Sequence, residues 1–216
     1  AAGVPVVVDQ THTLLADPIA PASHPGPAGP DPSGRVAADY RVASLRKLLP
    51  VPEGGWVTGL ATRPALTRRA VDEEVARLRL AGEDEKAELV MDDAFEPGAI
   101  SATTYDALLA VDVPALVRRR EENGAALRAL LAELGLPVVN AADSRCCVVV
   151  RHPAAEQVRV RLARLGVHAP VHWPRPPGLP PGAPWPADLL CLPVDQPLPG
   201  PARQVLAALA GPRGRS

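Results

Sequence analysis

Aromatic side chains are scarce in this 216-residue chain: three Trp, two Tyr and one Phe make up 3% of it. An excess of charge of either sign is also lacking. Lys and Arg number 23 against 24 Asp and Glu, a formal net charge of −1, and no basic stripe stands out. That balance argues against a nucleic-acid binder. Cysteine is limited to Cys146, Cys147 and Cys191. An odd number with two neighbours in an apolar run suits buried thiols in a reducing compartment better than a disulfide framework. No Cys/His spacing resembles a metal site. No apolar span is long enough to cross a membrane, and no signal-peptide pattern is present. The expected setting is therefore cytoplasmic, without nucleic acid or membrane as partner. Proline is abundant at 27 residues, and the hydrophobic fraction of 47% permits a packed core. The length allows one large domain or two small ones.

The most informative stretch is ADYRVASLRKLLPVPEGGWV, residues 38–57. It has the grammar of a strand at about Tyr40 to Ser44, a sharp polar turn, and a second strand resuming at Trp56 and Val57. Pro50, Pro52 and the Gly54-Gly55 pair restrict the backbone between them. Lys47 is thus expected on a stiff turn at the end of a strand. A lysine held that way can be partly desolvated, which makes its amine a nucleophile toward aldehydes. Upstream, VVVDQTH reads as a short strand over residues 4–9, ending in Asp9 and followed by polar residues. Its continuous apolar run suits a buried parallel sheet, and Asp9 lies at the strand's carboxyl end, where open α/β sheets place ligands. A Schiff-base lysine with a carboxylate for a pyridinium nitrogen is the protein's half of pyridoxal phosphate chemistry.

VVVDQTHTL followed at a distance by the lysine stretch resembles the DegT/DnrJ/EryC1/StrS family of pyridoxal-phosphate aminotransferases. More narrowly, it resembles members carrying a Ser-Leu-Arg-Lys loop. RRREENGAALRALL, HWPRP and LLCLPVDQ extend the likeness weakly over nearly the whole chain. The resemblance implies an α/β fold. Residues 1–120 become the C-terminal part of a fold-type I large domain that binds pyridoxal 5′-phosphate. Residues 121–216 become a smaller α+β C-terminal domain. It implies Lys47 as the Schiff-base lysine and Asp9 as the partner of the pyridine nitrogen. His12 falls where the family often has Gln, near the cofactor's phenolic oxygen. Ser44 is a phosphate contact, although it stands three residues before the lysine and not the five common in relatives. His172 is a substrate-binding candidate. The expected reaction moves an amino group from an amino-acid donor, typically Glu or Gln, to a keto acceptor, in most relatives a nucleotide-linked keto sugar. A homodimer is expected for the full-length protein.

The chain begins without Met and runs straight into a strand, while the family carries a phosphate-binding turn and a stacking aromatic ring upstream. It is accordingly read as a C-terminal portion, with an exposed apolar edge at its first strand. A non-catalytic relative, acting only in binding or inactive, remains the alternative. Lysine at position 47 argues against the family's dehydratase branch, which has His there.

Elsewhere the sequence predicts a Pro/Gly-rich loop over residues 17–36, which carries His24, and a helical pattern over residues 64–90 with Glu73 and Arg77 as an i,i+4 pair. A short helix is expected over residues 103–109. A long helix follows, opened by Asp112 and Pro114 and stopped at Gly135. Arg118, Arg119 and Arg120 are expected to pair with nearby acids. Strands over 145–151 and 167–171, a helix over 154–165, a short run at 188–192 and a final helix over 202–209 complete the reading.

Overall fold

In the computed structural model, residues 5–12, 15, 39–62, 64–94, 98–142, 144–170 and 175–209 are described. They form a mixed α/β protein with two small sheets and, among the described residues, six α-helices. The chain divides into two compact units, Ala1–Val113 and Pro114–Ser216.

The first unit is built on a three-stranded sheet. Strand β1 (Val7–Asp9) lies parallel to β2 (Tyr40–Ser44), with Asp9 opposite Val42. Strand β3 (Gly55–Thr58) returns antiparallel to β2, with Ser44 opposite Gly55. A single 3-10 turn, Leu45–Lys47, connects β2 to the proline segment. Leu48, 1% exposed, drops into a small cluster with Ala43, against which Trp56 packs, and this pins the turn to the sheet. Gly54 has φ +111, and a side chain there would meet Ile100 and Thr104. The pattern behind this loop was a Gly-Gly pair, and only its first member needs the left-handed region that glycine tolerates. The burial that composition suggested for β1 is not met, whereas the exposed apolar edge expected at the first strand is present: Val6 and Val7 are 42% and 58% exposed, on an edge strand. Apolar composition suits burial, but nothing among the described residues covers that edge.

Three helices complete this unit: α1 (Ala70–Leu80), α2 (Asp84–Asp93) and α3 (Ala102–Ala110). The helical pattern expected over 64–90 is thus two helices, broken where Gly82 takes φ +75. Leu66 lies outside both and is exposed. Val75, Leu78 and Ala87 form the seam between α1 and α2. The expected Glu73–Arg77 pair is replaced. Arg77 bonds Glu74, while Glu73 accepts from the Ala102 backbone N–H at 2.6 Å, on the first turn of α3. A carboxylate at a helix N-terminus meets an unpaired N–H and a favourable dipole, which outweighs an exposed i,i+4 contact.

The second unit has the larger core. Helix α4 (Val113–Glu133) contributes Leu127 and Leu131, and strands β4 (Cys147–Arg151) and β5 (Leu189–Pro193) pair antiparallel. Helices α5 (Ala155–Ala163) and α6 (Gly200–Leu209) add Val158, Leu162, Ala202 and Leu206. The strand expected at 167–171 is not formed among its described residues. Val167 and Ala169 are buried at 1% and 4% as irregular chain. Arg120 is buried, and it donates to the Arg145 carbonyl at 3.0 Å, while Glu121 pairs with Arg145. Burial pulls the Arg120 guanidinium below its ordinary pKa. Among the described residues no helix is long and apolar enough to cross a membrane.

Candidate active site

Parallel pairing brings the carboxyl ends of β1 and β2 to the same edge of the sheet, so Asp9 and Ser44 come together although 35 positions apart in number. Gln10 continues the ladder by donating to the Val42 carbonyl at 2.7 Å. Thr11 then laces the two strand ends. Its backbone N–H donates to Asp9 Oδ1 at 2.8 Å, and its Oγ1 accepts from the Ser44 N–H at 2.9 Å. Gln10 and Thr11 are buried, at 6% and 4% exposure, so the backbone under Asp9 is fixed while Asp9 itself stays exposed.

That arrangement sets the charge on Asp9. A hydrogen bond from the Thr11 side chain, then one from its N–H, holds the carboxyl below the ordinary aspartate value. Slight burial works against them, and the positive charges of His12 and Lys47 reinforce them. Bonds donated to the ionised form favour it. Asp9 is therefore a fixed carboxylate with two candidate cations, His12 and Lys47, in electrostatic range.

Lys47 is the last residue of the 3-10 turn after β2, the stiff position expected for it. It is exposed, so the described residues do not supply the expected desolvation. The Ser44 hydroxyl makes no capping bond to this turn. An open hollow of about 430 Å³ lies on the sheet, walled by Asp9, Thr11, Ser44, Gly54, Gly55 and Trp56 among others. Lys47 and His12 are not part of its wall. His172 and His24 lie outside the described residues.

The chain has only two lysines, Lys47 and Lys86. Lys86 is an exposed residue of α2 paired with Glu83. In a chain whose other cations of this kind are all arginine, an amine able to condense with an aldehyde stands at just these two places.

Sequence reasoning overlooked Thr11. Part of the signal was present, since an Asp at a strand end takes the N–H two residues on in an Asx-type turn, here that of Thr11. Arg46 is exposed but donates to Glu88 Oε1 at 3.0 Å, a residue with no sequence signal linking it to the lysine turn.

Of the three thiols, Cys147 offers no second nucleophile at neutral pH. Cys147 and Cys191 are buried, and none of the three cysteines is in a disulfide. Cys147 is drawn down by Cys146 but pushed up by its hydrogen bond with Cys191 and by burial, to about 11. A thiol protonated at neutral pH is a poor nucleophile.

No family model and no curated protein matches this chain.

Proposed function

We propose that the chain carries the lysine and carboxylate of a pyridoxal-phosphate-dependent aminotransferase. The observation that supports this reading most is that Lys47, on the turn after β2, lies within electrostatic range of Asp9, which is held ionised. The residues present fit the group. A fixed carboxylate suits a pyridinium nitrogen, a primary amine stands on the neighbouring strand's turn, and the Ser44 hydroxyl is available for a phosphate oxygen. When bound, pyridoxal phosphate supplies an electron sink for the substrate's α-carbon.

Asp9 then keeps the pyridine nitrogen protonated. The Lys47 amine anchors the cofactor and moves a proton between the α-carbon and C4′. His12 donates to the phenolic oxygen. The donor is an amino acid such as Glu or Gln and the acceptor a keto compound, with a nucleotide-linked keto sugar as the leading class. The working protein is a homodimer.

The exposure of Lys47 favours a second reading, a relative that binds without turnover. Borohydride reduction after mixing with pyridoxal phosphate, followed by peptide mapping, separates them from chance labelling. A phosphopyridoxyl adduct in large excess at Lys47 over Lys86, abolished in Lys47→Ala, is the expected result. Equal adduct on the two lysines sinks the cofactor site. Selective adduct without amino transfer from any of a panel of amino-acid donors leaves the binding-only reading in its place.

A further inference from the structure

Beyond the cofactor contacts, one network reaches the lysine turn from outside the sheet. Glu88 Oε1, on α2, accepts from Arg46 at 3.0 Å and from Arg79, on α1, at 2.7 Å. Arg79 also donates to the Pro52 carbonyl at 3.0 Å. Its side chain is only 6% exposed, and its Nε is buried without a hydrogen-bond partner. Withdrawing a guanidinium from water with one donor unmet is unfavourable, and an exposed Arg at that position would avoid it.

What the arrangement achieves is geometric. Arg46 precedes the lysine and Pro52 closes the proline segment that follows it. The α1–α2 hairpin grips both through one carboxylate and one guanidinium. Leu48 holds the same segment from the other side by burial. Lys47 therefore sits between three anchored positions, 46, 48 and 52.

We propose that Glu88, together with Arg46 and Arg79, is a positioning device that sets the Lys47 amine for reaction with an aldehyde. The inference rests on the pyridoxal-phosphate reading above. None of the three touches the reacting atoms; they act through the turn.

The test compares wild type, Glu88→Gln and Arg46→Met. The second variant removes an exposed side chain and leaves the Arg79–Glu88 pair intact, so folding is not at stake. Adduct formation is timed over a range of pyridoxal phosphate concentrations, with Lys86 as reference in the same sample and circular dichroism as the check on folding. Misplacement of a reacting group by about 1 Å can cost up to roughly a hundredfold in rate. The expected result is a saturating rate at Lys47 lower by about tenfold in Glu88→Gln and less in Arg46→Met. The half-saturating concentration and the Lys86 rate stay unchanged. Loss of general stability alone does not produce that split. Folded variants that keep the wild-type rate at Lys47, or that change only the half-saturating concentration, overturn the clamp while leaving the cofactor reading intact. A wild type that labels Lys47 and Lys86 alike overturns the cofactor reading itself.

Discussion

At Asp9 the controlling neighbour is Thr11, whose side chain and N–H both favour the carboxylate. Thr11→Val removes the hydroxyl and keeps the shape. The Asp9 pKa is expected to rise toward the ordinary aspartate range, read by carboxyl-carbon NMR over an acid titration. An unmoved titration excludes the Thr11 hydroxyl as the cause and leaves its N–H, which the valine keeps. The linkage sign follows from the direction of the shift. A folded pKa below the unfolded one adds stability above the unfolded value, and that stability is lost as pH falls through the folded value. The contribution is fully present above the ordinary aspartate pKa and disappears in acid solution below it, and exposure keeps it small. The two labelling tests also stand at this scale, because each asks what a single amine does in a chain with only two.

Among the elements, α3 depends most visibly on its first residues. Ser101, wholly buried, accepts from the Thr104 N–H at 3.0 Å and shares a side-chain bond with Thr104 Oγ1. Its own N–H donates to Glu53 Oε1 at 2.7 Å, which ties the helix start to the loop before β3. Ser101→Ala keeps the Glu53 bond and loses the cap. It is expected to lower stability by about 1–2 kcal/mol, measured by urea unfolding, with faster amide exchange in the first turn of α3. Unchanged exchange there would mean that Glu53 and Glu73 suffice as caps. The α1–α2 pair shows how a local rule yields to a distant partner. Glu73 and Arg77 have favourable spacing, yet Glu73 serves α3, 29 residues on.

For the molecule as a whole, the two units have separate cores. Leu131, fully buried, packs with Val148, Leu162, Leu192 and Leu206 in the second. Leu131→Ala is expected to cost about 2–5 kcal/mol, seen as an earlier urea transition by circular dichroism. Below that transition the Lys47 to Lys86 labelling ratio should remain at the wild-type value, because the sheet, the turn and the clamp all belong to the first unit. A ratio that falls with the mutation would show that the second core helps to hold the lysine turn. Each unit then requires its own denaturation curve, since a single two-state treatment does not describe two cooperative units.

The sequence by itself determined the local features. The strands at Tyr40–Ser44 and Gly55–Thr58, the lysine turn between them, and the stop of α4 near Gly135 follow from β-branched runs, prolines and glycines acting on their neighbours. Asp9 at a strand end and Lys47 at a turn were legible for the same reason. Only the tertiary structure decided what those residues meet. The parallel register set Asp9 beside Val42 and near Ser44. Folding brought Glu88 to Arg46 across 42 positions, buried Arg120 against the Arg145 carbonyl, and left Val7 exposed despite its composition. Propensity acts through the few residues on either side. Partners of charged groups, and the burial of an apolar strand, depend on which distant elements the chain packs there, and no spacing along the sequence encodes that choice.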